Sequence, residues 1–334
     1  MGRVLTLGEV MLRLSTKTDI RLSECRQFQV NYGGSEANVA VSLSNFNHSV
    51  SFASKIPDNA LGLAVKKHFQ HFGVATDDLL FGGFRLGCYF LEDGIGERIS
   101  SIIYDRASSS FAEMNTLEWS MEDLFNNVEL LHISGITPAI SSSWTILTLQ
   151  LVEEAKRRKV KISFDFNYRS KLWSHSEAKK VLKKLLPLVD YCSAGKLDAV
   201  HLLDIEEIPT DIEDIRYYYE KMSELYPNIK VLYSTLREIK STSHNYLTGF
   251  IWNDGILYTS KKHDIMPIVD RVGGGDAFSA GVLHGLLTEK DFDYTVSFAT
   301  AASALKHTIY GDCNQFSVQE IEEFMNRTDQ RIMR

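Results

Sequence analysis

Cysteine, proline and long apolar runs are all scarce in this chain of 334 residues, and each scarcity excludes something. The four cysteines, Cys25, Cys88, Cys192 and Cys313, form no CxxC pair, which argues against a zinc site or disulfide framework and for reduced thiols. Six prolines, no Pro/Ser-rich tract and no repeat leave no linker, so residues 1–334 read as a single domain. No stretch approaches about 18 uninterrupted apolar residues and no charged n-region leads into one, so a cytoplasmic location without a membrane partner is expected. Excess positive charge is lacking too, and a net charge of −7 argues against nucleic acid as a partner. The ten histidines show no HxH or HxxxH spacing, and no GxxxxGK[ST] phosphate loop occurs.

What is present is an alternation. Strand-like runs such as "VLTLGEV", "SVSFASKI", "LLHISG", "KISFDFN" and "IKVLYST" are separated by helical patterns such as "SSWTILTLQLVEEAKRRK" and "SEAKKVLKKLLPLV". That order predicts βαβ units, hence an α/β, doubly wound, mainly parallel sheet with helices on both faces. Gly2 and Thr6 match a myristoylation pattern, yet Val4, Leu5 and Leu7 read as a buried first strand. Residues of about 15–35 and 84–106 break the alternation with strand pairs, the second folding back at "EDGIGE", and predict a small β-sheet lid. Its apolar face and open edges predict closure over a ligand and a homodimer contact.

The stretch "DRVGGGDAFSAG", residues 270–281, places Gly273, Gly274 and Gly275 where a helix begins, with Asp276 beside them. Free N–H groups and the positive end of a helix dipole suit an anion, and the carboxylate suits the proton of an attacking hydroxyl. A plain alternative makes Asp276 the helix N-cap and the glycines a tight loop. The stretch resembles the C-terminal signature of the ribokinase-like (PfkB) sugar kinases, D-x-x-G-x-G-D-x-F-x-x-G, at every fixed position from Asp270 to Gly281. The resemblance implies that Gly273–Gly275 form the anion hole for the γ-phosphate of ATP, that Asp276 is the catalytic base, and that Mg²⁺ accompanies the donor.

On the acceptor side, "NYGGSEANVAVSL" offers Gly34 for close backbone approach and Asn38 for a sugar hydroxyl, unless the pair is only a turn and a solvent-facing amide. Arg106 and Arg169, if they converge rather than serve as surface ion-pair partners, predict an acidic group on the acceptor, because a guanidinium pairs a carboxylate through two parallel bonds. Asn167 and Arg169 follow a strand whose carboxyl end faces the ligand crevice. The stretches "GCYFLEDG", "YDRASSS" and "DFNYR" look most like the 2-keto-3-deoxygluconate kinases of that family. This implies acceptor contacts from Gly34, Asn38, Tyr89, Tyr104, Arg106, Arg169 and the late Asp312, and nucleotide contacts from Asn167, Arg169, Thr235, Gly273 and Gly275. The implied reaction is ATP-dependent phosphorylation of 2-dehydro-3-deoxy-D-gluconate at its terminal hydroxyl.

Two motifs depart from the family. Gly195 and Asp198 stand where it has N-x-x-E, leaving Asp198 as a metal residue acting through water. In "TLREIK", Arg237 and Lys240 replace two glycines of the nucleotide loop, which predicts a different backbone path, with a phosphate contact from one of them as the lesser alternative. These departures keep two rivals in view: a kinase of a neutral sugar such as fructose or ribose, and a non-catalytic sugar-acid or nucleotide sensor.

Overall fold

Val4, Leu5 and Leu7 are almost wholly buried because β1 (Arg3–Leu7) lies inside the main sheet with a parallel neighbour on either side. The computed structural model describes residues 2–209 and 214–327. The other strands are β2 (Met11–Ser15), β3 (Gln29–Gly33), β4 (Val50–Ile56), β5 (Leu79–Phe81), β6 (Gly87–Glu92), β7 (Ser101–Asp105), β8 (Val128–Ser134), β9 (Lys161–Asp165), β10 (Tyr191–Ser193), β11 (Val231–Ser241), β12 (His244–Asn253), β13 (Ile256–Thr259) and β14 (His263–Ile265). Among the described residues the main sheet runs β13–β12–β11–β10–β9–β8–β1–β4–β5, with β14 on β12. From β11 to β5 every pair is parallel, and β12, β13 and β14 add an antiparallel end.

Helices cover the sheet because their apolar residues recur at helical spacing. Helix Ser142–Arg157 buries Trp144, Leu147, Leu151, Val152 and Ala155, and Ser141 caps it by accepting from Trp144 N. Helix His175–Leu185 buries Ala178, Val181, Leu182 and Leu185 behind a Ser174/Glu177 capping box.

A second sheet, in the order β3–β2–β6–β7, lies where the lid is expected, but the strand paired with β3 is β2, which precedes the expected start at about residue 15, so the segment 15–35 supplies one strand and not a pair. Its strand β2 comes from the segment just after β1, separated from it by three residues, Gly8 to Val10. Alternation along the strands sorts the side chains. Arg13, Asn31, Tyr89 and Tyr104 stand in one cross-strand row on the cleft side, and Leu14, Val30, Phe90 and Ile103 stand in the next row on the other face. Val30 and Ile103 are 54% and 52% exposed there.

Candidate active site

The carboxyl ends of the parallel strands and the cleft face of the lid enclose a cavity of about 340 Å³. Its lining includes Gly34, Asn38, Tyr89, Tyr104, Arg106, Asn167, Arg169, Gly273, Gly275, Asp276 and Asp312, residues drawn from every part of the chain. Gly274, Thr235 and Asp198 are not among its lining residues. Gly274 is buried behind the turn, where a Cβ would lie 2.4 Å from His307 Cε1. His307 Nδ1 donates to Ser303 O at 2.6 Å, and burial pushes its ring down to about 4, so it is a neutral packing group.

The glycine turn explains itself at Gly273, which sits at the N-cap of helix Gly274–Leu287 with φ +81°. A Cβ there would fall 1.7 Å from Asp312 O, so both conformation and space demand glycine. Asp276 lies in the first turn, and no side chain caps this helix. Both its oxygens are engaged elsewhere: Asn38 Nδ2 donates to Oδ2 at 2.7 Å and Ser35 Oγ donates to Oδ1 at 3.0 Å. Asn167 Nδ2 donates in turn to Ser35 Oγ at 2.8 Å. The carboxylate is therefore aimed by the acceptor-side helix Ser35–Asn45 and by the end of β9, and not by its own helix.

That helix is anchored by Glu36. Its Oε1 accepts from Ser134 N at 2.9 Å, Ser134 Oγ at 2.7 Å and Thr137 Oγ1 at 2.9 Å, which ties the helix start to the end of β8. Gly34 just before it faces Glu9 O, which a Cβ would approach to 2.1 Å.

Burial pushes the Asp276 carboxyl up to about 6, against the hydrogen bonds from Asn38 and Ser35 and the attraction of Arg169. Asp165, at the end of β9, is pushed up to about 7 by burial and by the charges of Asp276 and Asp198. Burial also raises Asp198 to about 6, and its Oδ2 accepts from Gly195 N at 2.8 Å, so the residue holds the start of helix Lys196–Leu203. All three bind protons more tightly in the folded chain than at the ordinary 3.8. Their contribution to stability is thus present at low pH and lost as pH rises through about 6 to 7, while a base at Asp276 needs that same deprotonation. We expect kcat/KM to fall about tenfold per pH unit below about pH 6. Chemical denaturation read at pH 5 and pH 7 should show no matching loss of stability on the acid side; parallel losses would tie the acid limb to unfolding.

"TLREIK" is not a loop. Residues 235–240 continue β11 and pair with β12, Thr235 opposite Gly249 and Arg237 opposite Leu247. Without glycine at Arg237 and Lys240 the chain stays in the extended region, and neither residue has positive φ.

Arg13, Glu9 and Arg271 had escaped notice in the sequence. Arg13, fully buried on β2, donates to Asp312 Oδ1 at 2.9 Å and pairs with Asp270 Oδ2 at 2.7 Å. Tyr89 OH donates to Asp312 Oδ2 at 2.5 Å. Asp270 also accepts from Val272 N and Gly311 N, both at 3.0 Å, so the first residue of the glycine motif fixes the turn. Glu9 pairs with Arg106, whose Nε lies 2.9 Å from Glu9 Oε2, and takes a further bond from Ser109 Oγ at 2.6 Å. Arg237 and Arg271 also line the cavity. An alternating strand pattern flags Arg13 as facing the same way as Met11, but nothing local names its partners.

Comparison with known proteins agrees with this geometry. The pattern of the pfkB family of carbohydrate kinases matches residues 1–236 and 249–318. The crystal structure of a PfkB family carbohydrate kinase from Listeria grayi is 44% identical with a TM-score of 0.94, covering 97% of this chain and 100% of that one. That of 2-dehydro-3-deoxygluconokinase from Thermotoga maritima is 36% identical with a TM-score of 0.95, covering 98% and 100%. The 2-dehydro-3-deoxygalactonokinase of Haloferax volcanii is 29% identical over 334 residues, 100% of this chain and 99% of its own. With a ribokinase-like fold, the glycine turn and this likeness along its whole length, the chain belongs to the pfkB family of carbohydrate kinases and is a phosphotransferase acting on an alcohol group.

Proposed function

We propose that the chain transfers the γ-phosphoryl group of ATP to the terminal hydroxyl of 2-dehydro-3-deoxy-D-gluconate, giving the 6-phosphate. The observation that carries this reading is the Asp276 carboxylate, held by Asn38 and Ser35 beside the glycine turn with its proton affinity raised toward neutrality. The acceptor oxygen attacks the γ-phosphorus while its proton passes to Asp276, the bond from phosphorus to the β–γ bridging oxygen breaks, and ADP leaves. N–H groups of the turn and the helix dipole offset the charge on the transferring group. Tyr89 and Tyr104 on the lid, with ring centroids 5.8 Å apart, wall the acceptor from water. A second copy packed on the lid row of Val30 and Ile103 completes the reading as a homodimer.

Among the described residues no three His, Cys, Asp or Glu side chains gather as a ready-made metal cage. Mg²⁺ that keeps its waters and rides on phosphates needs only one or two carboxylates. Asp165, which lines the cavity, fits that need, with Asp198 close enough for its charge to act on Asp165. Such an ion would neutralise charge on the β- and γ-phosphates.

The acid group of the acceptor is assigned to Arg169 and Arg106. One observation favours a neutral acceptor instead: Arg106 already carries Glu9 as counter-ion. An ATP-coupled assay with 2-keto-3-deoxy sugar acids of both gluconate and galactonate configuration, their uncharged analogues, fructose and ribose decides between them. Equal rates on an acid and its uncharged analogue would sink the carboxylate reading, and no turnover across the panel would favour a sensor. Arg106→Ala should raise KM for the acid by about ten- to a hundredfold, the worth of a charged hydrogen bond, and leave neutral acceptors far less affected.

A further inference from the structure

Four arginines line the cavity, and of these only Arg106 has a carboxylate in ion-pairing distance among the described residues. Arg169 donates Nη1 to Tyr168 O at 3.2 Å. Arg271 donates Nε to Thr242 O at 2.9 Å and Nη2 to Asn245 Oδ1 at 3.1 Å, again neutral acceptors. The Arg237 side chain has no hydrogen-bond or ion-pair partner among the described residues. The three lie near one another: loss of water and then the charge of Arg169 weaken proton binding at Arg237, and loss of water and then Arg237 do so at Arg271. Like charges gathered on one wall repel, so the arrangement is costly unless an anion joins it.

Placement indicates which anion. Arg271 directly precedes Val272 and the glycine turn, and Arg237 projects from β11 close enough for it and Arg271 both to act on His307 behind that turn. Arg169 lines the same cavity as Asp276 and favours its charge. The three guanidiniums therefore share one cavity with the reacting carboxylate and the glycine turn. One acceptor carboxylate cannot occupy three guanidinium forks at once, whereas a chain of phosphates can, each taking a bidentate guanidinium. The hairpin is itself held in place, since Thr242 N donates to Gly96 O at 2.9 Å and Thr242 Oγ1 to Arg98 O at 3.1 Å on the lid turn. Arg271 is thus aimed before any ligand arrives.

We propose that Arg237 and Arg271, acting with Arg169, clamp the polyphosphate of the donor nucleotide, so that side-chain charge replaces the backbone contacts of a glycine-rich nucleotide loop. The inference rests on the phosphoryl-transfer reading above. It predicts binding that depends on phosphate count and not on the base or on the acceptor.

Calorimetric titration of the full chain with ADP, inorganic tripolyphosphate, adenosine and a 2-keto-3-deoxy sugar acid, at fixed ionic strength, tests it. In Arg237→Gln we expect ADP and tripolyphosphate to bind at least about tenfold more weakly, the loss of one charge-assisted contact, with adenosine and sugar acid unchanged. The melting temperature of the ligand-free variant should equal or exceed that of the wild type, because repulsion with Arg169 is relieved; Arg237→Lys should recover part of the affinity. Arg271→Gln should add to the loss for ADP and tripolyphosphate. Unchanged ADP affinity in Arg237→Gln overturns the clamp, as does weakened sugar-acid binding with ADP unaffected, which would assign the cluster to the acceptor. A lowered melting temperature with equal loss of every ligand overturns it in favour of a structural role. Wild-type protein that binds neither ADP nor tripolyphosphate would overturn the kinase reading itself, a result distinct from the others.

Discussion

Asp276→Asn should lower kcat by about 10²- to 10⁴-fold, the usual contribution of a positioned general base, while ADP and sugar acid bind nearly as before. Asparagine keeps the shape of the side chain, and its carbonyl oxygen still accepts from Asn38 or Ser35. What disappears is the ability to take a proton. The helix start loses only a first-turn charge, worth about 0.3–1 kcal/mol when exposed, and loses no cap, because Gly273 occupies the N-cap position. Single-turnover measurements with saturating ATP and acceptor, alongside direct binding, separate the two effects. A variant with near-wild-type turnover would reduce Asp276 to a residue that orders Asn38 and Ser35.

Arg13→Met is expected to destabilise the fold by about 3–5 kcal/mol, because it strips the cation from two buried carboxylates and leaves both. The Arg13 side chain is 0% exposed, with Asp270 and Asp312 at 3% and 2%. Lys306, also buried, stands near both acids, and its ammonium is held down by burial while they hold it up. One cation is then left for two carboxylates. The lesion joins three parts of the site: β2 of the lid, the glycine turn through Asp270, and Asp312 beneath Tyr89. Urea unfolding gives the magnitude, and adding Asp312→Asn to Arg13→Met should recover part of it by removing the orphaned charge. A loss below about 1 kcal/mol would mean that packing alone holds lid to core.

These two residues differ in how well the sequence exposes them. Asp276 stands in a motif whose glycines, charge and following helix are consecutive, so its chemistry is readable from a dozen residues. Arg13 is one cation in an alternating strand, and its importance comes from partners near the other end of the chain. Arg106 was legible as a cleft residue from its place after a lid strand, but Glu9, which compensates half its meaning, was not. The arginine-for-glycine change at Arg237 was visible as a departure, yet only the pairing of β11 with β12 turned it into an extended arm over the cavity.

Local order in the chain was enough to determine the α/β alternation, because strand and helix periods are set by neighbours a few residues apart. It was also enough for the strand-to-helix glycine turn and for placing Asp276 beside it. Strand direction at the β11–β14 end was left to the tertiary structure, since a period of two does not encode parallel or antiparallel pairing. So were the two hydrogen bonds that aim Asp276, the buried Arg13 pairs, the Glu9 counter-ion and the three guanidiniums without a carboxylate partner among the described residues. Coulomb and hydrogen-bond energies depend on distance and burial in space, and residues from opposite ends of the chain acquire both only when the sheet closes around the cleft.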